Sequence, residues 1–260
     1  MNADTARHLA LLNAAFYEQH GLAFAETRPR LNLGVRKVLA RIVPGARVLD
    51  VGCGDGKPGR WLTSDRPAAR RPEAAGRSID YLGLDASASM ITRARALTGE
   101  REGVAFAQVD VLAEDWAAPY TDSFGWVLAF AVLHHVPGAI GRARLVRELA
   151  ACCQPDGRVA ISCWRPSRSP RLLGRVAAWS EIGLTADDVD PGDLLMAWER
   201  AGQRAWRYVH EVEPLELDDI ATHAGLSLVE RFVADGHAGD LADYAILERT
   251  GLTDNTDPNG

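Results

Sequence analysis

Lysine is almost missing from this sequence. Lys37 and Lys57 are its two examples, and arginine supplies the rest of the positive charge. We read this as a compositional bias, not a functional signal. Long apolar runs are missing too, since none approaches the ~18 residues of a membrane span. That excludes a membrane-spanning helix and a membrane partner. Cysteine is scarce: Cys53, Cys152, Cys153 and Cys163 form no C-x-x-C pair, so no metal or disulfide framework is expected and the thiols fit a reduced cytosol. The start, MNADTARHLALLNAAF, carries a short apolar patch broken by Asn13 and no small-residue cleavage site. We therefore read a cytoplasmic chain without a signal peptide. A basic surplus is absent: the net charge of −6 leaves no general nucleic-acid footprint and excludes DNA. No repeat is visible.

What is present is enough apolar sequence, 47% of 260 residues, for one α/β domain with a substantial core. Residues 3 to 20 carry helical spacing, with Leu9, Leu12, Phe16 and Tyr17 able to share a face. A second helix is predicted from Leu31 to Ile42, closed by Pro44-Gly45, and these elements make an N-terminal helical cap over residues 1–45. From 46 to 164 strands and helices alternate, the signature of a mostly parallel sheet. The expected strands are 48–51, 79–85, 104–110, 124–130 and 158–164, with helices near 58–65, 87–98 and 139–153. Segment 66–78, rich in Pro, Arg and Ala, reads as a flexible surface insertion, and 251–260 as a disordered tail. Residues 165–205 read as helices and turns, followed by a strand at 205–212; 165–212 would be an inserted substrate cap, with 165–205 as a lid over the reaction edge. A helix at 215–224 and two strands, 226–235 and 242–249, return 213–250 to the core. The fold class is an α/β three-layer sandwich with a Rossmann-like seven-stranded sheet ending in an antiparallel hairpin strand.

The run RVLDVGCGDGKPGRWL, residues 47–62, takes an apolar strand into Gly52, Gly54 and Gly56 and then a helix. Such a turn exposes backbone to a ligand. A dinucleotide site would space its glycines as G-x-G-x-x-G, but here the third comes one residue early. Asp55 would also face a pyrophosphate, at a cost on the order of several kcal/mol. Asp50 and Asp55 instead suit a cofactor with a cationic amino-acid end, and S-adenosyl-L-methionine (SAM) has one. Asp85, at the end of the second strand, can accept both ribose hydroxyls, with Ala86 beside it. Asp110, at the end of the third, can accept the adenine amino group, with Val111 against the ring. Each acid alone could be a helix N-cap. Together they lie where ligands bind open parallel sheets.

VLDVGCGDG, YLGLDAS, AQVDVL, FAVLHHVPG and QPDGRVAIS resemble the successive motifs of class I SAM-dependent methyltransferases over residues 46–164. The resemblance implies SAM bound through Asp50, Gly52, Cys53, Gly54, Asp85, Ala86, Asp110 and Val111. Asp156 stands where that family has Gly-Gly. A narrower resemblance joins NAAFYEQHGLAFAETR (13–28), Trp164 and GDLLMAWERAGQRAWRYVHEVEPLEL (192–217) to the tRNA wobble-uridine carboxymethyl methyltransferases. It implies esterification of 5-carboxymethyluridine in tRNA, with a small zinc-binding activator subunit as a possible partner.

Several side chains keep two readings. His134 and His135 follow the fourth strand and either act on the acceptor as a base or form a polar turn. Phe130 and Tyr17 either flank the sulfonium or adenine or belong to the core. Trp164 either roofs the pocket or packs inside. Arg28 is either a solvated loop arginine or a substrate or cofactor-carboxylate contact; the narrower resemblance implies that Arg28 and Arg207 are catalytic arginines that orient a carboxylate, and that Tyr208 and His210 contact the substrate. No metal site is expected. The function expected is SAM-dependent methyl transfer to a carboxylate, in tRNA or a related acceptor. The alternative is a small-molecule O-methyltransferase. An NAD-dependent oxidoreductase and a non-catalytic SAM-binding subunit rank lower.

Overall fold

The structure is a computed structural model that describes residues 1–64 and 79–250. The predicted insertion at 66–78 and the predicted tail lie outside the described residues. Helix α1 (Ala3–Glu26) opens with Asn2, whose side chain accepts the Thr5 N–H, and carries Asp4 in its first turn, where the helix dipole favours a negative charge. It runs six residues past the expected end. Pro29 disfavours helix at Arg28, and the chain turns there. Helix α2 (Leu33–Leu39) follows.

Strand β1 (Arg47–Val51) leads through the glycine turn into α3 (Lys57–Leu62), with Pro58 in its first turn where no N–H is required. The alternation continues with β2 (Asp80–Asp85), α4 (Ala88–Thr98), β3 (Val104–Gln108), β4 (Phe124–Phe130), α5 (Ala139–Cys152) and β5 (Cys153–Trp164). After an excursion from the sheet come α7 (Pro214–His223), β9 (Leu226–Ala234) and β10 (Ala242–Arg249). The sheet order is β3-β2-β1-β4-β5-β10-β9. The first five strands are parallel, β10 is antiparallel to both neighbours, and β9 again runs with the first five. The expected seven-stranded fold with its reversed hairpin strand is present. One face packs against α5 and α7 through Leu145, Leu149 and Ile220; the other packs against α2 and α4 through Val35, Val38 and Ile91. These are the two outer layers. Asp156 takes the left-handed φ of +60° within the β5 bend and stays at the far edge of the sheet.

The excursion corrects the sequence reading. Within 165–205, helix α6 (Pro170–Leu173) is short, and β6 (Val176–Ala177), β7 (Asp193–Arg200) and β8 (Gln203–His210) form a separate three-stranded antiparallel sheet. The β7–β8 turn consists of Ala201 and Gly202, both at positive φ, as a two-residue hairpin requires. Ala-Gly lacks the Asn-Gly or Asp-Gly signature, so the hairpin was hidden.

Candidate active site

The C-terminal ends of β1 to β4 face a cavity of ≈ 700 Å³ beneath α1. All ten residues expected to hold the cofactor line it: Tyr17, Asp50, Gly52, Cys53, Gly54, Asp85, Ala86, Asp110, Val111 and Phe130. Gly52 and Gly54 have φ of +69° and +57°. A Cβ on Gly52 would lie 2.4 Å from a Val132 methyl, so this glycine is required by space as well as by backbone angle. The Gly54 N–H donates to Asp85 Oδ2 and the Ser87 N–H to Oδ1, both at 2.9 Å. Those two bonds fix the carboxylate while leaving lone pairs toward the cavity. Burial raises the Asp85 pKa against these bonds, and Glu18 adds to it.

Asp50 is buried and accepts the Tyr81 hydroxyl at 2.5 Å. Burial, with the Asp85 charge, pushes its pKa up to about 7 in spite of that bond. Burial likewise drives the Cys53 thiol well up, so Cys53 is a packing residue of the turn, not a nucleophile. Asp110 is held at the rim, where its Oδ1 accepts the Leu112 N–H at 2.9 Å. Asp55 corrects one step of the sequence argument. It is ion-paired to Lys57 at 3.0 Å and Arg60 at 3.7 Å, so its charge is answered locally. The charge that suits a cationic ligand comes from Asp50 and Asp85, with Glu18 on the same wall. Lys57, the cation there, is already taken. An ammonium and a ribose therefore fit this end.

The other end has the opposite character. Arg28 and Arg30 line it. The Arg28 guanidinium stacks 3.7 Å from the Phe24 ring centre, and Arg207 lies 4.4 Å from the same ring. Arg207 is 5% exposed, boxed by Phe24, Phe16 and Trp164, and its Nε has no hydrogen-bond partner. Among the described residues neither arginine is ion-paired to a carboxylate. Protein walls and the Arg207 charge pull the Arg28 pKa down to about 10, although Arg28 keeps the surface it shows to the cavity. The fold thus brings the two expected arginines together on one aromatic ring, but only Arg28 of the two lines the cavity, which corrects the expected direct role of Arg207.

The histidines are fixed by their partners. Tyr208 offers His135 a carbonyl at 2.9 Å, so Nδ1 carries the proton, and Nε2 accepts the Tyr17 hydroxyl at 2.7 Å. Burial and Arg207 hold the His135 pKa down at about 3. His134 is buried beneath it, its Nδ1 accepting the Trp164 N–H at 3.3 Å, and its pKa is driven well down by burial and His135. Both rings are neutral and their acceptor nitrogens are engaged.

Three expected substrate contacts are corrected. Tyr208 is fully buried, its hydroxyl donating to Asp193 at 2.6 Å. His210 bridges Asp193 at 2.7 Å and Glu216 at 3.0 Å inside the same polar network. Alternation along β8 sends both to the face opposite Arg207. Trp164 backs Arg207 and packs with Leu172, Met196 and Val209, so it does not roof the cavity. The lid is corrected as well: no residue of 165–205 lines the cavity, and α1 covers it from Ala10 to Ala25. The small sheet braces α1 from behind.

Asn13 makes that brace. Its amide donates to the carbonyls of His135 and Tyr208 at 3.1 Å and accepts the Tyr208 N–H at 2.8 Å. In the sequence it is only a polar break in an apolar patch, although a buried Asn at helical spacing from Leu9 and Phe16 was a usable signal. Ala131, Ser162 and Tyr244 also line the cavity without having been expected. Ala131 holds φ of +58°, pinned by its N–H to Ser162 Oγ at 3.0 Å, a strained backbone at the end of β4.

Residues 24–231 match the methyltransferase domain family. The trans-aconitate 2-methyltransferase of Methylobacterium nodulans is 38% identical over 160 residues, covering 60% of this chain and 53% of that enzyme. The chain thus spans about half the length of that relative. A SAM-dependent methyltransferase from Methanosarcina mazei superposes with a TM-score of 0.62 at 15% identity, over 82% of this chain and 97% of its own. A protein solved in complex with the Haloferax volcanii Trm112 methyltransferase activator gives 0.52 at 17% identity, over 83% and 88%. At such identities the likeness is one of fold. No helix among the described residues is long and apolar enough to cross a membrane. With four-fifths of its length matched, the chain belongs to the methyltransferase domain family, on the Rossmann-like fold of the SAM-dependent enzymes.

Proposed function

We propose that this protein is a SAM-dependent methyltransferase that esterifies a carboxylate of a small organic acid. The observation that carries the reading is Arg28, which lines the end of the cavity opposite the acids with no carboxylate partner among the described residues and shares the Phe24 ring with the buried, unpaired Arg207. A buried cation without a counter-ion is costly, and an acceptor anion would relieve it. SAM, when bound, supplies an electrophilic methyl group on a sulfonium. Asp50, Asp85 and Glu18 would hold its cationic and ribose parts, and Val111 and Met90 would pack its adenine. Arg28 draws in the carboxylate and is able to meet it with a planar fork, and Arg207 adds positive charge from across the Phe24 ring. A carboxylate, with a pKa near ~4, is already an anion at neutral pH and needs no base. Neutral, engaged His134 and His135 agree with that requirement, whereas a hydroxyl acceptor would need one of them free. The protein's work is then orientation and exclusion of water under α1.

The acid acceptor agrees with the trans-aconitate enzyme among the relatives. A carboxymethyluridine ester in tRNA is the same chemistry on a larger carrier, and an activator subunit belongs to that version. Incubation with methyl-labelled SAM and cell extract divided into small acids and tRNA separates the two. Label in small acids that is released by mild alkali, as a methyl ester must be, is the expected result. Alkali-stable label, or label only in tRNA, would overturn the small-acid reading.

A further inference from the structure

Among the described residues six other than glycine hold a positive φ, four of them aspartates, which enter the left-handed region readily. The other two are alanines. Ala201 closes the β7–β8 hairpin, but Ala131 stands at the end of β4, exposed, on the cavity wall. A glycine would sit there without strain, and the sequence places glycine at many other turns of this kind. The Ala131 N–H is pinned twice, to Ser162 Oγ at 3.0 Å and to the Ser162 carbonyl at 3.1 Å. Buried Ser162 stands in register with Phe130 of β4 and Tyr244 of β10. Its hydroxyl donates to the Tyr244 oxygen, the Tyr244 hydroxyl donates to Asp235 Oδ2 at 2.6 Å, and Asp235 Oδ1 accepts the Gly34 N–H at 3.0 Å. The Ser162 proton is thereby committed, and its oxygen is left to accept from Ala131.

The strained turn lies between the two ends of the cavity. Phe130, Ala131, Val132, His135 and Val136 make one stretch of the lining. At one end of it a Val132 methyl occupies the place that a Cβ on Gly52 would take, against the glycine turn. At the other, His135 bonds Tyr17, whose ring packs edge-on at 6.0 Å against Phe24, the ring that carries Arg28. The acceptor's lone pair must meet the methyl carbon in line as the carbon–sulfur electron pair leaves to sulfur, and an error of about 1 Å costs a large part of the rate. We propose that Ser162 is a positioning residue for this transfer: its bond to the Ala131 N–H holds the left-handed turn after β4, and the Ala131 methyl, kept there in spite of the strain, sets how acceptor and cofactor approach each other. The inference rests on methyl transfer alone and holds for any acceptor.

Three variants of the full chain test it: A131G, S162A and S162T. Each is measured for S-adenosylhomocysteine affinity by calorimetry, for Tm, and for the rate at which saturating methyl-labelled SAM labels the extract fraction that the parent protein labels, whether small acids or tRNA. All three should bind S-adenosylhomocysteine within about threefold of the parent, because the acids and the glycine turn are untouched. A131G should raise Tm, since glycine relieves the turn, and yet transfer label about tenfold more slowly or worse. S162A should lose rate to the same extent, while S162T, which keeps the hydroxyl, should stay within about threefold of the parent. An A131G variant as fast as the parent would overturn the proposal, and a Tm below the parent's would remove the strain on which it stands. Equal loss of rate in S162A and S162T, or loss of S-adenosylhomocysteine binding in step with rate, would make Ser162 a structural residue only.

Discussion

The two ends of the cavity are built from opposite charges and by different means. The acidic end comes from the sheet: Asp50, Asp85 and Asp110 stand at or just past the C-terminal ends of three adjacent parallel strands. The arginine end comes from parts distant in sequence. Arg28 follows α1 and lines the cavity, Arg207 lies in β8 outside the lining, and Phe24 joins them. The first end is a property of the fold and recurs wherever strands and turns have this order. The second is a property of how α1 and a small extra sheet meet. On the function proposed above, the core would set the cofactor and the additions the acceptor, so the two should break separately.

The sharpest break is at the acidic end. Gly52→Val should abolish SAM binding, because its side chain would overlap Val132 and because β-branched residues resist a φ of +69°. Gly54 has more room, with only the Met90 methyl at 3.4 Å from a Cβ, so Gly54→Ala should do less harm. Calorimetry on both variants tests the ranking; heat of binding retained in Gly52→Val would remove the glycine turn from the cofactor site.

The matching break at the arginine end should leave SAM untouched. Arg207→Met should cost about 2–5 kcal/mol of acceptor binding, roughly thirtyfold or more in kcat/KM. It should also stabilise the fold, since an apolar side chain replaces an unpaired buried charge. Each kcal/mol raises Tm by about 2–4 °C in a chain of this size. Arg207→Lys keeps the charge but loses the fork, and should fall between. A variant both less stable and fully active would show that Arg207 is structural.

Asp85→Ala should weaken SAM by about 1.5–3 kcal/mol, the range for hydrogen bonds to a charged group. The loss should be in SAM affinity, not in acceptor affinity. Because Asp85 also ties down Gly54 and Ser87, Asp85→Asn should recover part of it through its remaining carbonyl oxygen. Equal affinities for parent and alanine variant would free Asp85 of any ribose contact.

Asp50 gives a pH test. Its pKa in the fold is raised to about 7 by burial, so its contribution to stability is full below the unfolded value near 4 and is lost as pH rises through 7. Binding of a cation has the opposite sign, because it requires the carboxylate. SAM affinity should be constant above pH 7 and weaken as pH falls below it, approaching tenfold per unit. Asp50→Asn should bind more weakly at pH 8 and lose that slope. Titrations between pH 5.5 and 8 decide it, and a flat profile in the parent protein would contradict the raised pKa.

The same contrast explains what could be read from the sequence. The acidic end was legible because a strand, a glycine turn and acids after successive strands are local patterns whose assembly the parallel sheet dictates. All ten of those residues line the cavity. Arg28 and Arg207 were legible only through resemblance, since nothing local says that residues so far apart share the Phe24 ring. Tyr208 and His210 were misplaced because the β7–β8 hairpin, closed by Ala201-Gly202, decides which face of β8 meets α1. A lid was expected from 165–205 because the chain leaves the sheet there. The lid is α1, whose last turns, beyond residue 20, meet the small sheet through contacts such as Glu26 to Arg200 and Phe24 to Arg207.

The smallest effect is expected where the two ends meet. His135 sits between Tyr17 and the Tyr208 carbonyl with its pKa held at about 3, so it stays neutral across the physiological range. His134 is driven the same way. With a carboxylate acceptor no proton has to leave, and kcat should stay flat from about pH 6 to 8 even while SAM affinity changes with Asp50. His135→Gln can still accept from Tyr17, so its activity should fall by only a few fold, less than in Arg28→Lys or Arg207→Lys. The converse outcome is equally definite. A kcat that rises tenfold per pH unit through this range, and is lost in His135→Gln, would make His135 a base. It would move the acceptor from a carboxylate to a hydroxyl, and would require the bond from Tyr17 to break during turnover.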